Sequence, residues 1–220
     1  MITSGPTRGY IDAVRYISNK STGKLGASIA MEALKRDASV TFIYGTESVI
    51  PDITQLGKDY ASQLTLIEIE TFDDVLTTIQ EKLKDKSFDA IVHAMAVLDY
   101  TPEKQCDGKI TSNKDKLVVT FVRTPKIIKL IRKLWPHTFL IGFKLEIGLS
   151  KEELVERAYA SLTESGVNLV VANNQNEIVG DKHRAYLVNS QKKIESICDT
   201  KQDIAKNLTD VIAKHLKPVY

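Results

Sequence analysis

The chain has 220 residues, of which 43% are hydrophobic and 26% are charged, and its formal net charge is +2. This composition is that of an ordinary soluble protein, and the length suits one α/β domain with a sizeable core. The basic residues only slightly outnumber the acidic ones and are spread along the sequence, so we expect no nucleic acid partner.

Cysteine spacing and hydropathy argue against a disulfide scaffold and a membrane-spanning protein. Cys106 and Cys198 lie far apart and form neither a C-x-x-C pair nor a Cys/His ligand pattern, which indicates reduced thiols. The histidines are also isolated, so we predict no metal site and interpret His93 as a structural residue at a strand end. No apolar run reaches about 18 residues and no secretory signal is evident, so we expect a cytoplasmic protein with no membrane partner.

Apolar runs typical of strands alternate with amphipathic helical patterns, which predicts βαβ units and a mostly parallel sheet. The predicted strands are Met1–Thr3, Ser39–Tyr44, Leu64–Glu68, Ala90–His93, Phe139–Phe143 and Leu169–Ala172. The predicted helices are Gly23–Lys35, Thr71–Lys84, Pro125–Leu134, Lys151–Ser165 and 201–216. No linker or repeat interrupts the sequence, so residues 1–220 are predicted to form a single domain.

Two segments break this alternation. Residues 100–124 carry many charges before a β-rich stretch, Lys116–Val122, and predict a mobile, partly extended excursion, which we call the flap. Ala185–Asn189 and Lys193–Ile197 predict a β-hairpin at the sheet edge, over about residues 185–197.

The stretch between the first predicted strand and helix is rich in groups that bind phosphate. Gly5 allows the backbone to come close to an anion, and Thr7 adds a hydroxyl group. Ser21, Thr22 and Gly23 open an apolar helix, which Ser21 or Thr22 is predicted to cap. The free N–H groups and positive dipole end of that helix favour an anion, so we predict nucleotide or substrate phosphate contacts at these residues.

A dinucleotide fingerprint fits this stretch poorly. The G-x-G-x-x-G pattern requires its glycines directly between a strand and a helix, whereas Gly5 and Gly9 lie far from Gly23 and Gly26. Glu47 could imitate the ribose-binding acid of an NAD(P)-dependent oxidoreductase, but no acid/base group for hydride transfer is evident. Such an oxidoreductase and a catalytically silent nucleotide-binding module are the alternatives to the function implied next.

A longer pattern covers the same stretch. The pattern V-R-x-I-x-N-x-S-[ST]-G-x-x-G is filled in order by Val14, Arg15, Ile17, Asn19, Ser21, Thr22, Gly23 and Gly26. With the loop before it, this pattern resembles the start of phosphopantothenoylcysteine synthetases, the ligases of coenzyme A biosynthesis that join 4′-phosphopantothenate to cysteine. The resemblance extends to near residue 190, through Ala94–Tyr100, Lys109–Ser112, Thr124–Ile128 and Ile141–Glu146. The length is similar to that of the free-standing form, without a fused flavin-dependent decarboxylase.

The resemblance implies a fold, a reaction and partners. The fold is a Rossmann-like three-layer αβα sandwich with an edge hairpin and a mobile flap, and the assembly is a homodimer. The family activates the carboxylate with a nucleoside triphosphate and Mg²⁺ through an acyl-nucleotide, which L-cysteine then attacks. CTP and ATP both serve within the family, and we expect CTP because composition and the absence of targeting suggest a bacterial enzyme. A separate phosphopantothenoylcysteine decarboxylase would then act in the same pathway.

The resemblance assigns catalytic roles to two residues. Asn19 stands at a family asparagine associated with the acyl-nucleotide, and its amide can donate to an acyl or phosphoryl oxygen and accept from an amine. The alternative for Asn19 is a loop residue that satisfies its own turn. Lys109 stands at the family's flap lysine, whose ammonium group can close over the triphosphate. Its alternative is a solvated lysine, which is the interpretation given to Lys104, Lys114 and Lys116.

Nucleotide and substrate contacts are also implied at the ends of later strands. Ala94, Met95 and Ala96 follow a predicted strand, and the two alanines would let ligands approach the backbone. Asp99 lies beyond them, and its carboxylate suits ribose or base rather than phosphate, with an N-cap or an ion pair as the alternative. Phe143 would lie against the nucleobase or in the core.

The start of a later helix completes the implied set. Thr124 is predicted as its N-cap, with proline at the first helical position, and the implied contacts are Pro125, Lys126, Ile127 and Ile128.

Two further residues have an open role. Arg15 either binds phosphate or supports its own loop through Asp12. Asn174 stands where the family usually has an aspartate.

Overall fold

The computed structural model describes residues 1–56, 60–113, 115–180 and 182–216, so Lys114 of the predicted flap and the end of the predicted domain, 217–220, lie outside it. The strands are β1 (Ile2–Ser4), β2 (Arg8–Tyr10), β3 (Tyr16–Ser18), β4 (Val40–Gly45), β5 (Leu64–Ile69), β6 (Ala90–His93), β7 (Tyr100–Pro102), β8 (Phe121–Arg123), β9 (Phe139–Glu146), β10 (Leu169–Val179), β11 (Lys182–Asn189) and β12 (Ile194–Thr200). The α-helices are α1 (Lys24–Leu34), α2 (Phe72–Thr77), α3 (Ile127–Leu134), α4 (Lys151–Ser165) and α5 (Lys201–Leu216). None of the described helices has the length and apolar character needed to cross a membrane.

The main sheet has eight strands in the order β12-β11-β10-β9-β6-β1-β4-β5. Neighbours from β5 to β10 pair in parallel, whereas β10–β11 and β11–β12 pair antiparallel. Because β1 lies between β4 and β6, the chain builds outward from the centre first on one side and then on the other. This order confirms the predicted Rossmann-like sheet and the predicted edge hairpin.

Successive residues of the central strands face opposite layers. Leu140 and Val170 belong to the apolar cluster that packs with α2, α3 and α4, whereas Ile141 and Val171 belong to the cluster that packs with α1 and α5. All four side chains are buried. Because helices cover both faces of the sheet, both faces of its strands are apolar, and each strand is a continuous apolar run in the sequence. The arrangement confirms the predicted three-layer sandwich.

Some predicted elements differ from the structure in extent. β9 and β10 continue to Glu146 and Val179, beyond the apolar runs that predicted them, because their pairing extends past the core. The helix predicted over Thr71–Lys84 is present from Phe72 to Lys82, but only α2 is α-helical: Thr78–Lys82 continue it as a π-helix, after which the Leu83 N–H donates to the Thr78 carbonyl at 3.1 Å. Of the β-rich stretch Lys116–Val122, only the end forms a strand, β8, which pairs antiparallel with β7 at the start of the flap.

Main-chain segments approach one another closely where β1, β4 and α1 meet. Gly26, in the first turn of α1, packs on Ser4, and a Cβ atom at this position would lie 2.2 Å from Ser4 Oγ. Gly45 ends β4, and its Cβ would lie 2.0 Å from the carbonyl oxygen of Pro6. Distances this short are not tolerated between real atoms. The two glycines therefore set how deeply the segment after β1 crosses the end of the sheet.

We expect Gly45→Ala to destabilise the protein by about 2 kcal/mol, because the added methyl group meets main-chain atoms that cannot rotate away. Gly142→Ala is the matched control, since its Cβ would lie 2.8 Å from Ile128 Cδ1, the end of a flexible side chain. Urea unfolding followed by circular dichroism measures the free energy of unfolding of each variant. A Gly45→Ala variant as stable as the wild type would contradict the close approach.

Candidate functional site

The loops that leave β1 and β6 are hydrogen-bonded to each other at the carboxyl edge of the sheet. The Ala96 N–H donates to the Gly5 carbonyl at 2.8 Å, and the Thr7 N–H donates to the Ala96 carbonyl at 3.4 Å. Thr7 is buried, and its Oγ1 accepts from the Leu98 N–H at 3.0 Å. Ligands of open α/β sheets bind at this point of the strand order, where neighbouring connections diverge. The structure thus brings together Gly5, Thr7 and Ala96 of the predicted site.

The side chain of Asn19 is fixed to the same loop. Asn19 follows β3, and its Nδ2 donates to the Ala96 carbonyl at 3.0 Å and to the Val97 carbonyl at 3.3 Å. Both partners are acceptors, so the NH₂ group faces them and Oδ1 faces away. Asn19 is exposed, and no residue in the described ranges donates to its Oδ1. Of the two roles expected for this amide, the structure leaves the acceptor role open to a ligand.

α1 begins without a side-chain cap. Its N-cap is Gly23, with φ of 75° and no capping side chain, so the predicted cap at Ser21 or Thr22 is wrong. The left-handed backbone favours glycine here, and a Cβ would also lie 2.9 Å from the Cβ of Ser48. In the described residues, no side chain occupies the N–H groups of the first turn, and such groups attract anions.

The loop joining β2 to β3, which we call the hairpin tip (residues 11–15), contacts the flap. Asp12 is fully buried, and its carboxylate accepts from Arg15 Nε and from the Ile110 N–H, each at 3.0 Å. The bound Arg15 guanidinium holds the pKa of Asp12 well below its usual range. Arg15 therefore supports its own loop, which is the second of the two roles expected for it. Lys109, next to Ile110, is exposed.

Asp99 forms an ion pair, which is one of the alternatives expected for it. Lys126 Nζ lies 2.6 Å from Asp99 Oδ1, and both side chains are largely exposed. Thr124 is not the N-cap of α3: its Oγ1 donates to the Leu98 carbonyl at 2.6 Å, and the N-cap is Lys126. The helix therefore starts two residues later than predicted, with Pro125 ahead of it. This N-cap also lacks a side-chain bond.

Several predicted contact residues direct their side chains into the core. Met95 and Ile127 are buried in the cluster next to α2, α3 and α4, so they can meet a ligand through their main chains. Phe143, in β9, is half-buried and packs with the opposite cluster, as Ala94 does. Asn174 is also buried, and its Oδ1 accepts from the Gly148 N–H while its Nδ2 donates to the Leu149 carbonyl. These bonds hold the loop between β9 and α4.

Residues 1–216 match the family described as the DNA/pantothenate metabolism flavoprotein C-terminal domain. The chain belongs to this family. It is 39% identical over 218 residues to the coenzyme A biosynthesis bifunctional protein CoaBC of Thermococcus kodakarensis, covering 98% of this chain and 51% of that protein. The chain thus spans about half the length of the curated relatives it matches.

Solved structures agree with this family. The crystal structure of the DNA/pantothenate metabolism flavoprotein from Streptococcus pneumoniae superposes with a TM-score of 0.86 at 31% identity, covering 97% of each chain. The C-terminal domain of a coenzyme A biosynthesis bifunctional protein CoaBC superposes with a TM-score of 0.74 at 25% identity, covering 98% of this chain and 93% of that one.

An ion-pair cluster in this member of the DNA/pantothenate metabolism flavoprotein family was missed by the sequence analysis. Arg8 binds Glu47 at 2.5 Å and Glu70 at 2.9 Å, and its guanidinium lies 4.3 Å from the ring centre of Tyr16. The partners lie on different loops, and no spacing rule in the sequence connects them. Glu47 is therefore engaged by Arg8, which weakens the interpretation of Glu47 as a ribose-binding acid.

His93 lies in the core at the carboxyl end of a central strand, beneath the candidate site. It ends β6 with a buried ring, and its Nδ1 lies 2.7 Å from Thr3 Oγ1 on β1. Burial lowers the pKa of His93 to about 4, from an ordinary value of 6.5. Because the folded chain holds the neutral ring, the unfolded chain binds more protons between these two pH values, and stability rises with pH across that window.

We expect the free energy of unfolding to fall by about 2 kcal/mol from His93 alone when the pH is lowered from 7 to 5. His183, whose pKa burial also lowers to about 4, contributes a further part, whereas Asp12 contributes to the fall only at lower pH. His93→Gln should therefore reduce the fall without abolishing it, with His137→Gln, at an exposed position, as the control. Urea unfolding at both pH values tests this, and an unchanged pH dependence in His93→Gln would contradict it.

Proposed function

We propose that the protein is a phosphopantothenate–cysteine ligase of coenzyme A biosynthesis. The observation that carries the proposal is the Asn19 amide, which is held on the Ala96 and Val97 carbonyls just before the uncapped start of α1. A hydrogen-bond acceptor of fixed orientation thus lies a few residues before N–H groups suited to phosphate. Membership of the family, and relatives named for coenzyme A biosynthesis, support the same function.

The proposed reaction overcomes the poor reactivity of a carboxylate. The 4′-phosphopantothenate carboxylate attacks the α-phosphorus of the triphosphate, forming an acyl–phosphate bond and releasing pyrophosphate. The amine of L-cysteine then attacks the acyl carbon, losing a proton as the amide forms, and the nucleoside monophosphate leaves. Both steps develop charge on oxygen, which preorganised donors and cations stabilise.

The residues divide this work between them. The start of α1 binds phosphate through its free main-chain N–H groups, and the buried residues Gly5 and Thr7 shape the loop behind it. Lys109 brings a positive charge to the α-phosphate as pyrophosphate departs. Asn19 Oδ1 accepts from the attacking amine and so orients it towards the acyl carbon. Among the described residues no cluster of three carboxylate, His or Cys side chains could hold a metal ion, so magnesium would be held by the triphosphate and water and would neutralise charge there.

We propose CTP as the co-substrate, which keeps the expectation from the sequence. Discrimination between CTP and ATP depends on hydrogen bonds to the edge of the base. Homodimerisation and a separate decarboxylase in the pathway stay predictions, of which the first is tested by light scattering in solution.

Pyrophosphate release tests the function directly. With magnesium and 4′-phosphopantothenate, we expect release with CTP to be faster than with ATP, and to require phosphopantothenate but not cysteine for the first turnover. Adding L-cysteine should convert this first turnover into continuous release. Folded protein that releases no pyrophosphate with either nucleotide would contradict the ligase.

We expect Asn19→Ala and Lys109→Gln each to reduce turnover by about 100-fold or more while changing the unfolding midpoint only slightly, because both side chains are exposed and Asn19 loses only hydrogen bonds to two carbonyls that water can reach. Lys116→Gln, a charge-matched change on the same flap, is the control and should keep wild-type turnover. Steady-state kinetics and thermal unfolding measure both properties. Wild-type turnover in Asn19→Ala and Lys109→Gln would rule out the proposed roles.

A further inference from the structure

The position of Lys109 is set by its neighbours in the chain. Its side chain is exposed, and within the described residues its ammonium group forms no hydrogen bond or ion pair. The Gly108 carbonyl, however, accepts from the Ala13 N–H at 3.1 Å. On the other side of the lysine, the Ile110 N–H donates to Asp12 Oδ2 at 3.0 Å. The peptide units before and after Lys109 are thus both bound to the hairpin tip.

Binding both peptide units restricts the lysine strongly. Each peptide unit is planar, so holding one atom of each limits the two backbone torsions of Lys109. The Ile110 carbonyl is held as well, because an Arg15 Nη atom donates to it at 3.1 Å. The Cys106 N–H donates to the Ile11 carbonyl at 3.0 Å. Only the flexible side chain of Lys109 is then free to follow the substrate.

Asp12 is the side chain on which these contacts depend. Its Oδ1 accepts from the Val14 and Arg15 N–H groups at 3.0 and 2.8 Å, which shapes the hairpin tip. Its Oδ2 is turned to the other side, where it accepts from Arg15 Nε and from the flap at Ile110. One oxygen would suffice for the tip alone. The second oxygen joins the flap to a fully buried negative charge, and hydrogen bonds to charged groups are the stronger ones.

We infer that Asp12 is a positioning residue for Lys109, acting through the main-chain N–H of Ile110. The inference rests on the proposed function, because Lys109 must serve the ligase reaction. The Asp12 side chain is fully buried within the hairpin tip, so it is not exposed to a bound substrate. Its role is to hold the flap peptide so that the lysine begins each turnover close to its working position.

Asp12→Asn separates the two functions of the carboxylate. The amide oxygen can keep the two bonds that shape the tip, and its NH₂ group then faces Arg15 and the Ile110 N–H, which are donors. The flap should lose its anchor while the hairpin tip keeps its own hydrogen bonds. Hydrogen exchange, read by mass spectrometry on peptides spanning Cys106–Ile110, should accelerate about tenfold or more.

Turnover gives the second readout. We expect Asp12→Asn to reduce kcat roughly 10- to 100-fold, because misplacing a catalytic group by about 1 Å has this effect. In the Lys109→Gln background, measured at enzyme concentrations that reveal its residual rate, Asp12→Asn should reduce turnover less than about twofold further. If Asp12 had a purely structural role, the reductions in turnover caused by Asp12→Asn and Lys109→Gln would instead multiply. Unchanged exchange, or a full loss in the Lys109→Gln background, would overturn the inference.

Arg15→Lys keeps the inference testable if Asp12→Asn fails to fold. Lysine retains a positive charge beside Asp12 but cannot bind Asp12 and the Ile110 carbonyl together as the guanidinium does. Exchange at Ile110 should rise less than in Asp12→Asn, and kcat should fall by less. Wild-type exchange in Arg15→Lys would count against the anchor. If the wild type releases no pyrophosphate, the proposed function fails and the positioning role fails with it, whereas exchange data alone report whether Asp12 holds the flap.

Discussion

The close approach of Gly26 to the end of β1, and of Gly45 to the segment after it, is the constraint on which the site depends. No Cβ atom separates these backbones, so the chain after β1 crosses the ends of β4 and α1 in direct contact. It then reaches the loop after β6, where Ala96 bonds both Gly5 and Thr7. The Asn19 amide uses the same Ala96 carbonyl, so the orientation of this side chain is inherited from the packing beneath it.

The hairpin between β1 and α1 separates this fold from a dinucleotide-binding one. The strand order around β1 is Rossmann-like, and the start of α1 keeps the exposed N–H groups that bind phosphate. In a dinucleotide-binding fold, a short glycine-rich turn joins the first strand directly to this helix. Here β2 and β3 are inserted, which places Asn19 at the base of the hairpin and Asp12 at its tip. The inserted hairpin therefore carries candidate site residues that a dinucleotide-binding sheet lacks. Its side chains, rather than the fold, indicate the function.

The parts of the fold that could be predicted from the sequence are those set by local patterns. Buried strands appear as continuous apolar runs, and Ala90–His93 and the helices at 151–165 and 201–216 have the predicted bounds. Caps were less predictable, because a hydroxyl group near a helix start can have another partner. Thr124 binds the Leu98 carbonyl instead of capping α3, and Gly23 takes the place expected for Ser21 or Thr22.

The candidate site was predictable only where a motif identified it. Asn19 and Lys109 stand out through their resemblance to a family pattern. The bond between Asp12 and Ile110 joins residues 98 positions apart, and neither residue is unusual in its local sequence. Arg8 and its two carboxylate partners were hidden for the same reason. Contacts of this kind depend on how loops meet in space, which periodicity and spacing do not encode.

The two catalytic candidates are held in physically different ways, and this difference suits their tasks. Asn19 is bound to a loop that is itself packed on the sheet, so its amide keeps one orientation through the reaction. Lys109 is held by main-chain bonds and one charged group, while flap side chains such as Leu117 and Val118 are exposed rather than packed. Its main chain is fixed by bonds to the hairpin tip and to the buried Asp12 carboxylate, so only the flexible side chain of Lys109 has to move. A long exposed side chain on a fixed main chain can follow a ligand and then return to the same starting position.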